Sequence, residues 1–390
     1  MGNEMTHRER LIAVLNYEKY DRLPILHFGY WKELLQKWAA EGHISQAMAD
    51  GWGDCNEIDF EINEMLGWDY DYGGNCVGVY NYLDPEFETE VIKELPDGSR
   101  HVRDAMGVTL LDTADNISIP AEIEHLLTDR ASWDEHYKWR YQWNENRILN
   151  RSVRITPSEF IKYNEGGKEY LAANERDLPY GAWCGSTIGY LRNVVGVIGL
   201  SYMQVDDPVL LKEMIQTINE IAYRNTKYLL ENGFRPDMAH FWEDICFRSG
   251  PLVSPDFFAE HCVPAYKRMT SLLNEYGCNI ISVDCDGLID ELVPLWLEGG
   301  VNTMFPIEVG VWNASIKPWR EKYGKELRGV GGVNKHVMCK DRAAVDQEIA
   351  KMKEMVALGG YIPCPDHRLP PETDWNLVRY YTDKMRDSFS

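Results

Sequence analysis

Positive charge is scarce in this 390-residue chain: 40 Lys and Arg stand against 62 Asp and Glu, a formal net charge of −22. A field of that sign repels phosphate backbones and anionic lipid, which argues against nucleic-acid and membrane-surface partners. Long apolar runs are missing as well. The longest, Val194 to Leu200, is broken by glycines and falls far short of the roughly 18 residues that span a bilayer, and the N-terminal residues carry no signal core. A soluble, cytoplasmic protein is the expectation. The nine cysteines include no Cys-x-x-Cys pair, which argues against a zinc ribbon or a disulfide framework. No His-Glu-x-x-His occurs. The one near match to a dinucleotide fingerprint, Gly329-Val-Gly-Gly-Val-Asn334, sits late in the chain and fails at its last position.

What is present points to one large folded core. Hydrophobic residues make up 44% and charged residues 26%, with 13 Trp and 22 Tyr, a balance typical of globular proteins. Thr6 and Glu9 have the spacing of a capping box, so a helix is expected over Thr6 to Asn16. Asp21-Arg22-Leu23-Pro24 breaks it, and Leu23 to Phe28 reads as a strand. The next stretch is irregular, with helical pieces expected at Trp31 to Ala40 and Ala121 to Leu127, turns at Gly73-Gly74 and Pro96-Asp97-Gly98, and apolar stretches near Val77 and Val108. From Leu178 the pattern becomes regular. Apolar runs at Pro179 to Gly185, Met238 to Ile245, Asn279 to Val283, Val301 to Ile307, Leu327 to Val333 and Gly360 to Pro363 alternate with helical stretches opened by Asp207-Pro208, Ser254-Pro255 and Asp341. The second of these is expected to run to Gly277. Ser or Asp at the cap, Pro in the first turn and Gly past the end are the usual helix punctuation. Strand and helix in alternation imply a parallel sheet with right-handed crossovers. An eighth strand near Trp68 to Tyr72 would complete a (β/α)8 TIM-type barrel, α/β in class. It would be one domain over residues 1–390, with an N-terminal helical extension over 1–22 and an insertion over 80–175.

In such a barrel the chemistry belongs at the C-terminal ends of the strands. Those ends hold His27 and Tyr30, then Trp183 and Cys184, then His240-Phe241-Trp242-Glu243-Asp244, where alternation puts His240, Trp242 and Asp244 on one face and Phe241 and Glu243 on the other. Asp284-Cys285-Asp286, Glu308, Asn334-Lys335 and Cys364-Pro365-Asp366-His367 follow. Each has an ordinary structural explanation: a rim carboxylate bonded to backbone, a buried thiol behaving as a small apolar residue, a core histidine. Their convergence on one mouth is what points to a site, because burial and mutual repulsion there raise carboxylate pKa values into a range useful for proton transfer, unless a divalent cation neutralises them. Asp, Glu, His and Cys are all competent zinc ligands, though any zinc site would have to be assembled from separate strand ends.

The ordered segments Met5-Thr-His-Arg-Glu-Arg10, Asp21-Arg22-Leu-Pro24, Glu243-Asp244, Gly250-Pro-Leu-Val-Ser254-Pro255, Pro264-Ala-Tyr-Lys-Arg268, Asp284-Cys-Asp286-Gly287, Pro306-Ile-Glu308, Gly331-Gly-Val-Asn-Lys335, Gly359-Gly-Tyr-Ile-Pro363 and Asp366-His367 resemble the uroporphyrinogen decarboxylase superfamily over nearly the whole chain. The resemblance implies the barrel and a cleft at its C-terminal face, with either decarboxylation or methyl transfer through a corrinoid protein. Decarboxylases of that superfamily carry Arg-Gln-Ala-Gly-Arg after the first strand to hold substrate carboxylates. Here the place reads Phe28-Gly-Tyr30-Trp31-Lys32, without either guanidinium fork. The thiolate-rich zinc set of the thiol-methylating branch is absent too, and Asp366-His-Arg-Leu-Pro-Pro is not the corrinoid-carrier motif. The resemblance therefore implies a methyltransferase that moves a methyl group from a small methylated substrate, a methoxylated aromatic in the first instance, to cobalamin on a partner corrinoid protein. Candidate catalytic residues are His367, Asp286, Asp284 and Glu243, with Asp284, Asp286 and His367 as candidate zinc ligands. Candidate substrate-binding residues are Tyr30, Trp183, His240 and Trp242, joined by Trp31 and Trp312 as aromatic candidates. A homodimer is compatible with this reading. The alternatives are a decarboxylase of a smaller acid and a non-enzymatic corrinoid- or tetrapyrrole-binding protein.

Overall fold

The computed structural model describes residues 4–78, 81–113 and 119–390. Eight short strands make the barrel: β1 Leu26–His27, β2 Tyr70–Asp71, β3 Gly181–Trp183, β4 Ala239–Trp242, β5 Ile281–Asp284, β6 Thr303–Phe305, β7 Arg328–Val333 and β8 Tyr361–Pro365. β1 pairs with β2 in parallel. Beyond the Gly73-Gly74 turn a two-residue continuation, Cys76–Val77, pairs with β3. From β3 to β8 every strand is the parallel neighbour of the next. Between β8 and β1 the ladder thins to one parallel bridge, Tyr30 to Leu369. The result is a (β/α)8 barrel whose ladder is interrupted at that seam and at the turn after β2.

Period-two alternation sends one set of side chains into the barrel. Leu26, Tyr70, Tyr72, Met238, Ile280, Phe305, Val330 and Ile362 fill it, and Leu11, Val14 and Leu15 of the helix His7–Leu15 pack into the same cluster. Burying one such leucine stabilises the fold by about 2 kcal/mol. That helix begins with the expected capping box: the Glu9 N–H donates to Thr6 Oγ at 3.2 Å, and the Thr6 N–H donates to Glu9 Oε2 at 2.7 Å.

Two expectations are corrected. Ala121 to Leu127 is not helical; Ala121–His125 is the outer strand of a four-stranded antiparallel sheet with Glu90–Glu94, Arg100–Arg103 and Val108–Asp112. The helix-favouring Ala and Glu residues give way to cross-strand pairing with Val108–Asp112, since strand formation is decided by such neighbours. The stretch opened by Ser254 is two helices, Pro255–His261 and Val263–Glu275, because Pro264 has no N–H to continue the first. No single helix among the described residues is long and apolar enough to cross a membrane.

The helix that leaves β3 is bent. Gly189–Asp206 is bent at Gly196, whose φ of 73° and ψ of 162° lie outside helical space, and it meets the following helix, Pro208–Glu231, at 118°. Asp207 caps the second helix, accepting the Leu210 N–H at 2.9 Å, with Pro208 in the first turn as expected.

Candidate active site

A cavity of about 330 Å³ opens at the C-terminal ends of the strands. It is lined by Phe28, Asp54, Asp71, Gly73, Gly74, Trp183, His240, Trp242, Asp244, Asp284, Asp286, His367 and Arg368. Larger hollows exist elsewhere, notably one of about 700 Å³ beside the N-terminal helix, but the mouth cavity is where the strand ends deliver titratable groups together.

β4 builds one wall. Its alternation holds to the end, so His240, Trp242 and Asp244 all line the cavity, while Phe241 and Glu243 point to the opposite side. Asp244 is left-handed, with φ 51°, an uncommon conformation for a non-glycine residue and a frequent companion of functional sites. His240 donates or accepts through Nδ1 with Ser282 Oγ at 2.7 Å, and the Ser282 hydroxyl donates to the Ala239 carbonyl at 3.1 Å. One hydroxyl has one proton, so the imidazole hydrogen belongs on Nδ1 and Nε2 carries a lone pair. Burial lowers the His240 pKa to about 3, so the ring is neutral.

β5 supplies Asp284 and, just beyond it, Asp286. Asp284 is only 8% exposed, and no hydrogen bond reaches its carboxylate among the described residues. Burial first, then repulsion from Asp286 and Asp244, holds its pKa well above the usual carboxylate range. Asp244 is raised by burial and by Asp286 against the opposing pull of Arg192, which donates to Asp244 Oδ2 at 3.0 Å. Asp286 Oδ2 lies 3.2 Å from His367 Nε2. The His367 ring is in turn flanked by Phe28 and Trp31, with centroids 5.2 and 5.5 Å away.

Three lining residues had not been singled out from the sequence. Asp71, at the end of β2, accepts the Gly74 N–H at 2.8 Å, and burial raises its pKa to about 6. Among the described residues Arg368 is the one arginine lining the cavity, and both its arms are taken by Asp54, at 2.8 and 2.7 Å. Asp71 had a usable signal, since the eighth strand was expected over Trp68 to Tyr72 and its C-terminal end falls there.

Other candidates lie elsewhere. Glu243 is fully buried behind the cavity wall, where its carboxylate accepts the backbone N–H groups of Thr187, Ile188 and Gly189 at 2.7, 3.1 and 2.8 Å, plus the hydroxyls of Ser186 and Tyr266. It anchors the start of the helix Gly189–Asp206, with its negative charge on the positive end of the helix dipole, and it does not line the cavity. Tyr30 is 1% exposed, bonds Asn63 Oδ1 at 3.2 Å and stacks on His27, away from the cavity lining. Trp312 packs on Trp319. Glu308 accepts the Gly287 N–H, and Asp366 accepts those of Val309, Gly310 and Lys335, so both act as backbone caps. Cys285 and Cys364 are buried thiols with pKa values pushed up by burial.

The fit of a metal is poor. Among the described residues no three His, Cys, Asp or Glu side chains are arranged to hold an ion. The zinc expected on Asp284, Asp286 and His367 therefore has no ligand set in this arrangement. What remains is a pocket of carboxyl groups and aromatic faces.

A family model described as Uroporphyrinogen decarboxylase (URO-D) matches residues 170–388, more than half of the chain. Among curated proteins no sequence match was found. Among solved structures, a methyltransferase from Methanosarcina mazei superposes with a TM-score of 0.59 at 15% identity, covering 99% of both chains. A B12-independent methionine synthase from a Shewanella species gives 0.45 at 11% identity, covering 94% of this chain and 98% of that one.

Proposed function

This chain belongs to the uroporphyrinogen decarboxylase family, and from that premise we propose that it is a methyltransferase that takes a methyl group from a small O- or N-methylated compound in the mouth cavity and delivers it to a cobalt corrinoid carried by a partner protein. Enzymes of methyltransferase or decarboxylase type share the family. The observation that carries the choice is the charge of the cavity: five aspartates line it, and its one arginine is bound at both arms by Asp54. A polycarboxylate substrate needs free guanidinium forks and meets none.

The acceptor corrinoid is a co-substrate, and the residues of this chain act on the methyl donor. Trp183, Trp242 and Phe28 supply flat apolar faces to seat it. When the donor is an ether, the CH3–O bond breaks with its electron pair left on oxygen, and Asp284, whose carboxyl burial pushes toward the acid form, gives that oxygen its hydrogen. The Asp286–His367 pair lines the same cavity, and solvent returns a proton to Asp284 between turnovers. The methyl carbon gains its new bond from the acceptor's electron pair, in line with the departing heteroatom.

The test is to mix the protein with a reduced corrinoid protein and a panel of methylated ethers and amines, and to follow methylcobalt absorbance. Growth of that absorbance with one donor is the expected result. Silence across the panel, with carbon dioxide released from a carboxylated substrate, would replace methyl transfer by decarboxylation of a smaller acid.

A further inference from the structure

The lining of the mouth cavity is short of positive charge. Asp54 and Arg368 cancel each other, Arg192 answers Asp244, and His367 faces Asp286. Asp71 and Asp284, 4% and 8% exposed, form no ion pair among the described residues and feel Arg368 only at a distance, its two arms being held by Asp54, and no hydrogen bond reaches the Asp284 carboxylate. Buried carboxyl groups in that condition hold protons when no cation is beside them and ionise when one binds. Trp183, Trp242 and Phe28 line the same space, and aromatic faces attract a cation of low charge density by about 0.5–2 kcal/mol each. A hard metal ion would want three or more side-chain ligands at bonding distance, which the described residues do not offer. A neutral methoxylated ring would suit the aromatic walls but would leave the carboxyl groups uncompensated.

We infer that the cavity is built for a quaternary ammonium group, seated on the faces of Trp183 and Trp242 with Asp71 and Asp284 as its counter-charges. This deepens the methyl-transfer reading and rests on it for turnover, whereas the binding claim stands on the cavity itself. The chemistry balances without a proton: an N–CH3 bond breaks with its electron pair kept by nitrogen, the cationic donor leaves as a neutral amine, and the methyl carbon bonds to the electron pair of the reduced cobalt corrinoid. The cation charge that holds the donor is lost on reaction. Product is thereby released from carboxylates that no longer have a partner.

Calorimetry on the full chain, backed by tryptophan fluorescence, tests binding with four probes: tetramethylammonium, choline, its uncharged carbon isostere 3,3-dimethylbutan-1-ol, and 4-methoxyphenol. The expected result is binding of at least one cation about tenfold or more tighter than the isostere, with Asp284→Asn and Trp183→Leu each weakening the cation and leaving the thermal midpoint near that of the parent. Binding by neither cation, or equal binding of choline and its isostere, overturns the inference. The corrinoid assay separates the two claims. A cation that binds but is never demethylated sinks methyl transfer and leaves the cation site, while demethylation of a methoxylated aromatic without cation binding does the reverse.

Discussion

Asp71 illustrates how a single carboxyl in this mouth couples function to stability. Burial raises its pKa from 3.8 to about 6, with smaller contributions from Asp54 and Asp59 opposed by His27. A folded-state pKa above the unfolded one means that the native state holds the proton more tightly. The stabilisation this gives is complete below the unfolded pKa and is lost as pH rises through about 6. Asp71→Asn removes that loss while its amide oxygen still accepts the Gly74 N–H. Urea unfolding should therefore find the variant more stable at pH 7.5 by about 1–3 kcal/mol, an advantage that shrinks toward zero near pH 4. A pH-independent difference would mean that Asp71 is not the group titrating. His367 is a contrasting case, held between Phe28, Trp31 and Asp286 at the rim. His367→Ala should abolish turnover and shift the thermal midpoint little, and retained turnover would make it a packing residue. The sequence made His367, Asp284, Asp286, His240, Trp183 and Trp242 legible because each ends a recognisable strand. It did not make Arg368 legible as a neutralised charge, because its pairing with Asp54 joins residues 314 positions apart.

Strand β4 and the helix after β3 show what periodicity can and cannot reveal about an element. Alternation along β4 already separated Asp244 from Glu243, and in the fold only the first reaches the cavity. Glu243 is instead the acceptor for the first turn of Gly189–Asp206, and Gly189 lets the chains approach: a Cβ there would sit 1.9 Å from the Glu243 carbonyl oxygen. No sequence spacing announces such a contact, since the partner backbone comes from another strand. Glu243→Gln keeps the shape but replaces one charged acceptor by a donor facing N–H groups. It should lower stability by about 2–3 kcal/mol, read by thermal or urea melts, and an unchanged melt would show that the carboxylate is dispensable as a cap. Further along, Gly196 combines φ 73° with a position where a Cβ would meet His125 Nε2 at 2.4 Å. That conformation is essentially reserved for glycine, and His125 ends the strand Ala121–His125, whose sequence alone suggests a helix. Gly196→Ala should lower the thermal midpoint and speed proteolytic cleavage of the antiparallel sheet, because the sheet packs on this bend. Cleavage at the parent's rate would mean that the sheet is held by other contacts.

The charge of the whole molecule belongs to the same argument as the cavity. A net charge of −22 surrounds a mouth whose lining is itself acidic, so a cationic ligand is drawn in over distances that a neutral one does not feel. The aromatic richness of the chain is divided by the fold: Trp38, Trp133 and Trp296 are fully buried core residues, whereas Trp183 and Trp242 line the cavity. Composition alone could not make that division, because a barrel core and an aromatic binding wall draw on the same residue types. Long-range attraction has a signature that contact chemistry lacks. Raising ionic strength from 0.01 to 0.15 M cuts the Debye length from about 30 to about 8 Å, which should raise the Kd of choline several-fold while that of its neutral isostere stays level. A matched response of the two ligands would show that the acidic field does not reach the cavity. Asp284→Asn should keep the salt slope while weakening binding at every ionic strength, since it removes one local counter-charge from a field set by the whole chain.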